Sequence, residues 1–144
     1  MLHASEQIYA LVNDVAAYPE FVAHCAQTQV HDHSAEHMRA SLMLKKSGVK
    51  LQFTTHNRLT PNSRILMELV DGPFSYLQGE WRFEALRADA CKVQLDLAFE
   101  MQNSALAKIT GSLLESVGNN LVDAFCERAN VLYGRNTAFL NTLR

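Results

Sequence analysis

Three histidines, His31, His33 and His37, crowd one short segment of this chain, and on a strand His31 and His33 would share a face, as metal ligands can. No third and fourth ligand accompanies them, so no metal site is assigned. Carboxylates paired for acid–base work belong on the inner wall of a pocket. Glu68, Glu80, Glu84, Asp96 and Glu100 all fall on the outward register of their segments instead, and the inward register offers only Thr55 and Asn57 as polar groups. Cys25, Cys91 and Cys126 are odd in number, widely spaced and set among apolar residues. That pattern provides neither a disulfide framework nor a CxxC motif and reads as buried free thiols. The chain contains no nucleophile elbow, phosphate loop, dinucleotide fingerprint or zinc-protease motif, so no catalytic residue is assigned and an enzyme is disfavoured.

What remains is charge and apolar surface. The net charge of −2 hides an asymmetry: from His37 to Met67 stand Arg39, Lys45, Lys46, Lys50, Arg58 and Arg64 with no acid, leaving seven basic against fifteen acidic residues elsewhere. Such a basic hairpin is a candidate contact for RNA phosphates or an anionic membrane; an ordinary solvated sheet face carries the same residue types.

These residues sit on segments with a strict period of two. His37–Lys45, Val49–Thr60, Arg64–Val70, Gly79–Arg87 and Cys91–Met101 alternate apolar and polar residues, and a further strand signal begins near Gln27. The inward sets are Met38, Ala40, Leu42 and Leu44; Val49, Leu51, Phe53, Thr55, Asn57 and Leu59; Ile65, Met67 and Leu69; Trp81, Phe83 and Ala85; and Val93, Leu95, Leu97, Phe99 and Met101. Short turn-forming breaks at 46–48, 60–63, 71–73 and 87–90 make the segments an antiparallel meander. Ahead of them, Ile8, Leu11 and Val12 mark a helix over Ser5–Asn13 that stops at Asn13-Asp14. A second short helix is expected around Ala17–Phe21, with Pro19 in its first turn and Phe21 and Val22 facing inward.

A long closing helix is expected from Ser104 to Leu143, on the order of 55 Å at ~1.5 Å per residue. Its apolar stripe is Leu106, Ile109, Leu113, Val117, Leu121, Phe125 and Leu132. Gly111 and Gly118 lie on about the same face and each costs about 1 kcal/mol relative to Ala, so they answer either to close approach of the sheet or to room for a ligand. Phe53, Thr55, Asn57, Met67, Leu69, Trp81, Phe83, Leu95, Leu97 and Phe99, with Leu113, Val117, Leu121 and Phe125 from the helix, are the candidate lining of a cavity for a mainly apolar ligand. A plain packed core would use the same residues.

The order of elements predicts an α+β fold, helices on one face of an antiparallel sheet. With 144 residues, 48% of them hydrophobic, and no linker, repeat or low-complexity tract, one domain over 1–144 is expected. No apolar run approaches the ~18 residues of a membrane span, and the first residues lack the features of a signal peptide. A cytoplasmic location follows as the expectation, peripheral to the inner membrane at most.

Several motifs in sequence order carry a resemblance. Tyr18-Pro19-Glu20-Phe21 followed by Cys25, Phe53-Thr-Thr-His-Asn57, Gly72-Pro-Phe74 with Leu77, Gly79, Trp81 and Phe83, and Phe125-Cys-Glu-Arg-Ala129 with Tyr133-Gly134 resemble the coenzyme Q-binding START-like family. The resemblance spans nearly the whole chain and implies a helix-grip fold, in which an antiparallel sheet wraps a long C-terminal helix and encloses an apolar cavity. It implies two roles. One is non-enzymatic binding of ubiquinone or another isoprenoid lipid in support of respiration. The alternative, from toxin-named members, is binding to the large ribosomal subunit and interference with subunit joining. The resemblance also makes Pro73 and Phe74 a turn and a wedge beneath the sheet, and Arg128 is expected to anchor loop carbonyls or a carboxylate. Members usually have a strand ahead of the first helix, where only Met1–His3 stand here, so a short sheet edge or a truncated start is expected. Ala23-His24 replaces the family's Pro-Trp.

Overall fold

The computed structural model describes residues 2–102, 105 and 107–134. Helix α1, Ser5–Asn13, buries Ile8, Tyr9, Leu11 and Val12, and the Gln7 side chain folds back to accept the Ala4 N–H at 3.1 Å. A 3₁₀ helix, Val15–Glu20, follows. It starts earlier than the sequence suggests, so Pro19 lies at its next-to-last position and not in its first turn. Val22 is buried, as expected, while Phe21 is only half-buried.

Six strands form one antiparallel sheet in sequence order: β1 Cys25–His33, β2 His37–Lys46, β3 Val49–Thr60, β4 Arg64–Asp71, β5 Phe74–Arg87 and β6 Ala90–Met101. The inward sets expected from alternation largely face the core, with Met38, Ala40, Leu44, Leu51, Leu59, Ile65 and Trp81 all buried. β1 is weak in the sequence because it is an edge strand with little to bury: past Cys25 it is exposed along almost its whole length. β5 begins at Phe74 and not Gly79, because Phe74 and Leu77 are themselves buried anchors after the Gly72-Pro73 turn. Ala85 is a correction: it is exposed, at the end of β5 where the register to β6 shifts and the core has run out.

Helix α2, Ala107–Tyr133, is 27 residues long, about 40 Å. At its end Gly134, whose left-handed backbone (φ 74°) lets its N–H reach Asn130 O at 3.0 Å, follows Tyr133. Ser104, Leu106 and residues 135–144 of the expected helix lie outside the described residues. The stripe also shifts: Ile109 and Leu132 are each 50% exposed, and the buried positions are Thr110, Leu113, Leu114, Phe125 and Ala129. Ile109 stands on the first turn beside the β2–β3 hairpin tip, near Lys46, Ser47 and Val49. The long step before Leu132 is filled by Ala129, whose small side chain permits close packing. α2 lies across the inner face, and α1 packs against α2 and β5. Phe125, fully buried, meets Tyr18, Phe21 and Trp81 edge-on at centroid distances of 5.3, 5.2 and 5.5 Å.

Among the described residues no helix is long and apolar enough to cross a membrane.

Candidate functional site

The inner face of the sheet does not close completely on α2. A cavity of about 90 Å³ remains, walled by Phe53, Thr55 and Asn57 of β3, Met67 of β4, Leu77, Gly79 and Trp81 of β5, and Leu95 and Leu97 of β6. Leu114, Val117, Gly118 and Leu121 roof it; Val15, Tyr18 and Val22, with Ala40, Leu42 and Leu44 of β2, close one end. The two glycine readings both apply to Gly118, which borders the cavity and also approaches β6 so closely that a Cβ there would lie 3.3 Å from Leu97 Cδ2. Gly111 answers to close approach alone: its Cβ would meet Met101 Cγ at 3.3 Å.

Five expected lining residues stand elsewhere. Phe125 is the aromatic wedge behind Trp81, and Phe83 stacks on Trp81 (6.1 Å) and meets Tyr9 edge-on, so it fills the α1 side. Phe99 packs edge-on against Phe74 at 6.1 Å, under Gly111. Leu113 is buried toward the β2–β3 hairpin tip, and Leu69 is half-buried on β4. Inward register alone cannot separate residues that fill the core from those that border its gap. Ala40, Leu42 and Leu44 carried the same inward signal as the candidates, and Tyr18, Leu77 and Gly79 stood in the quoted motifs; Leu114 and Val15 carried none.

Among the described residues the cavity wall carries no carboxylate, histidine, lysine or arginine. Its polar feature is a buried pair on β3: Thr55 Oγ1 donates to Asn57 Oδ1 at 2.8 Å. This leaves the Asn57 amide N–H groups without a protein partner among the described residues, available to a ligand acceptor. Tyr18 is no proton donor to a ligand. Its hydroxyl donates to Val12 O, and burial, followed by the charges of Cys25 and Asp14, pushes its pKa far above the usual phenol range. At ~30 Å³ per water the cavity has room for about three waters, against the ~300–1,000 Å³ of common ligand pockets. It admits one small ring or headgroup as it stands; anything longer requires α2 to move.

The outer face holds the charges. Arg64 reaches Glu80 at 2.5 Å, Arg82 lies 3.3 Å from Glu80 and also pairs with Asp96, and Arg58 is 3.6 Å from Glu68. Arg58 and Arg64, two of the six basic candidates, are thus tied to acids. Arg39, Lys45, Lys46 and Lys50 have no ion pair among the described residues, and Lys45 stands directly opposite Lys50 on neighbouring strands. The histidines do not converge on a metal. His31 Nε2 is 2.7 Å from Ser41 Oγ, His33 is 3.5 Å from Asn13 Nδ2, and His37 stacks on His56 at 5.1 Å. No cluster of metal-ligating side chains occurs among the described residues. Arg128 does reach a carboxylate, Glu20 at 3.5 Å, and lies over the Phe21 ring at 5.0 Å.

Comparison with known proteins agrees with this geometry. Residues 3–126 match the family described as polyketide cyclase/dehydrase and lipid transport. The ribosome association toxin RatA of Vibrio cholerae is 44% identical over 131 residues, 91% of each chain. The mitochondrial coenzyme Q-binding protein of Drosophila melanogaster is 24% identical over 87% of this chain and 53% of its own. Among solved structures, the Zhui aromatase/cyclase of Streptomyces superposes with a TM-score of 0.78 at 14% identity, covering 90% of both chains, which shows the shared fold. A six-stranded antiparallel sheet gripping a long C-terminal helix, and a family match over most of its length, make this chain a member of the polyketide cyclase/dehydrase and lipid transport family with a helix-grip fold.

Proposed function

We propose that this protein acts as a non-enzymatic ribosome-association factor that binds the large subunit through the basic part of its sheet and hinders subunit joining. The observation that carries the reading is the Lys45–Lys50 pair at the β2–β3 hairpin, with Lys46 beside it at the hairpin end, none of them in an ion pair among the described residues, whereas Arg58 and Arg64 further along the sheet are tied to acids. Like charges directly opposite on neighbouring strands destabilise a sheet, and Lys45 and Lys50 are so placed. An anionic partner offsets that repulsion, and ribosomal RNA phosphate is such a partner. The 44% identity to a protein named for ribosome association supports it. A cytoplasmic location accords with this role.

Co-sedimentation with purified subunits at rising salt is the test. Contacts to phosphate weaken steeply with salt, by roughly one unit of log–log slope per contact. Changing Lys45, Lys46 and Lys50 together to Gln should weaken large-subunit binding and flatten the salt dependence. Unchanged binding by that variant would sink the proposal.

A second reading rests on the cavity. Its apolar wall and the free Asn57 amide suit the head of a quinone-like isoprenoid, and the likeness to a coenzyme Q-binding protein supports it. A part in respiration would follow from such a ligand. Native mass spectrometry of protein purified from a quinone-containing host should then find bound lipid. An empty protein that gains no thermal stability from short-chain ubiquinone would exclude this reading and leave the first intact, since the two use opposite faces of the sheet.

A further inference from the structure

The roof of the cavity is built differently on its two flanks. Toward β6, α2 is pressed close: a Cβ on Gly111 would stand 3.3 Å from Met101 Cγ, and one on Gly118 would stand 3.3 Å from Leu97 Cδ2. There it is the helix backbone at Gly118, which cannot rotate aside, that rests on Leu97. The opposite flank is closed by side chains alone. Val22, Val117 and Leu121 line the cavity and also line a surface groove of about 140 Å³ between α2 and the loop 21–24. One layer of three aliphatic side chains therefore separates the two spaces, and Val117 and Leu121 are only half-buried.

The loop that forms the far wall of the groove is fixed in place. Val22 N–H donates to Tyr18 O at 2.8 Å, Cys25 N–H to Val22 O at 3.2 Å and Lys45 N–H to His24 O at 2.8 Å, while His24 turns the chain into β1 with a left-handed backbone (φ 66°). The groove itself is mainly apolar. Phe21, Ala23 and Ala124 line it beside the three shared residues, and Asn120 Nδ2 folds back to donate to Ser116 O at 2.8 Å, which spends part of that amide on the helix. Among the described residues the groove carries no carboxylate, lysine or arginine, and its titratable lining residue, His24, is exposed.

We infer that this groove is a second subsite, continuous with the cavity, for the hydrocarbon chain of a ligand whose polar head sits at Asn57, and that Val22, Val117 and Leu121 swing aside to join the two. The inference rests on the cavity reading and says how a ligand longer than the cavity is held. The movement of α2 that such a ligand requires is then that of Val117 and Leu121, not of the helix as a whole. Size and polarity select the occupant. The cavity has room for a headgroup and no tail, and the groove brings the continuous space toward the ~300 Å³ lower end of common ligand pockets. An apolar trough that opens to water at its outer end shelters a flexible chain and offers a charged group no partner. The groove lies apart from the basic β2–β3 hairpin tip, so ribosome binding neither supports nor opposes it.

Trp81 is the sole tryptophan of the chain and lines the cavity, so quenching of its fluorescence by a quinone reports a head bound there. Dimethoxy-methyl-benzoquinone, which is the head alone, and its decyl derivative are the two probes. The wild type should bind the decyl compound at least about tenfold more tightly, the effect of sheltering as few as two methylene groups. Ala124→Phe, which fills the groove, should bring the decyl compound down to the affinity of the bare head and leave the head's own affinity unchanged. Asn120→Phe, at an exposed position on the same groove, should do the same with less risk to the fold. Asn119→Phe, on the flank of α2 that faces β6, should change neither. A wild type quenched by neither quinone overturns the cavity reading and the inference together. A wild type that binds both without preference, or whose preference survives Ala124→Phe and Asn120→Phe, or is abolished by Asn119→Phe instead, overturns the inference alone.

Discussion

Thr55 Oγ1 donates its hydrogen bond to Asn57 Oδ1 two residues along the same strand, inside an otherwise apolar wall. The bond fixes the amide so that its N–H groups face the cavity. Thr55→Val keeps the shape but leaves Asn57 Oδ1 buried and unpaired, and should cost ~1–3 kcal/mol in urea unfolding. Replacing both partners removes the orphan, so Thr55→Val with Asn57→Leu should be less destabilised than the sum of the two single variants. Additive losses would show that the pair is not coupled and that the amide is held by something else.

Gly118 and Leu97 set the height of the cavity roof. An alanine at 118 gains about 1 kcal/mol of helix propensity but puts its Cβ 3.3 Å from Leu97 Cδ2. Leu97 borders open space and can give way into it. Gly118→Ala should therefore raise the melting temperature by roughly 3 °C, while lowering the uptake of any cavity ligand. A melting temperature that falls would mean that Leu97 cannot yield and that strand and helix are locked at this point.

The architecture was legible in the sequence because a period of two and a period of 3.6 each report which side of an element is wet. The long strands β3 and β6 follow that rule along most of their length. The failures share one cause, which is that periodicity reports a face but not where the opposing layer ends. Ile109 and Ala85 sit on apolar registers past the margin of their partner, and both are exposed. The cavity was legible only as a set of inward residues. Phe83, Phe99 and Phe125 belong to the same register as Trp81 and Leu97 yet fill space, because ring-on-ring packing consumes the gap at those positions.

Arg128 touches both Glu20 and Phe21, and the two contacts are unequal. Glu20 is 64% exposed, so its ion pair is worth little, and Glu20→Gln should change stability by less than about 0.5 kcal/mol. The guanidinium and its stem cover the Phe21 ring, and Arg128→Ala should cost about 1–2 kcal/mol through lost packing. Arg128 Nε is buried without a hydrogen-bond partner among the described residues. Arg128→Met, which keeps the stem and removes that donor, should accordingly lose less than Arg128→Ala. Equal losses in Glu20→Gln and Arg128→Ala would assign the contribution to the ion pair instead.

Cys25 and Cys91 give the fold an alkaline limit. Burial raises both thiol pKa values, an effect that a backbone hydrogen bond at Gln27 partly offsets for Cys25. In the unfolded chain the thiols ionise at about pH 8.5, before their folded counterparts do. Below that pH both states hold the proton and stability is unaffected; above it the unfolded state is favoured until the folded thiols ionise too. The urea midpoint should therefore fall between pH 8 and about pH 9, where the unfolded tyrosines are still almost entirely protonated. Cys91→Ala, compared with itself across the same window, should show a shallower fall even though the loss of the buried side chain lowers its midpoint at every pH. Native-state thiol labelling offers an independent check, with half-buried Cys126 modified first and the two buried thiols only as the protein unfolds. If Cys25 or Cys91 reacts as fast as Cys126 in the folded protein, burial is not what holds their protons and the alkaline loss must have another source.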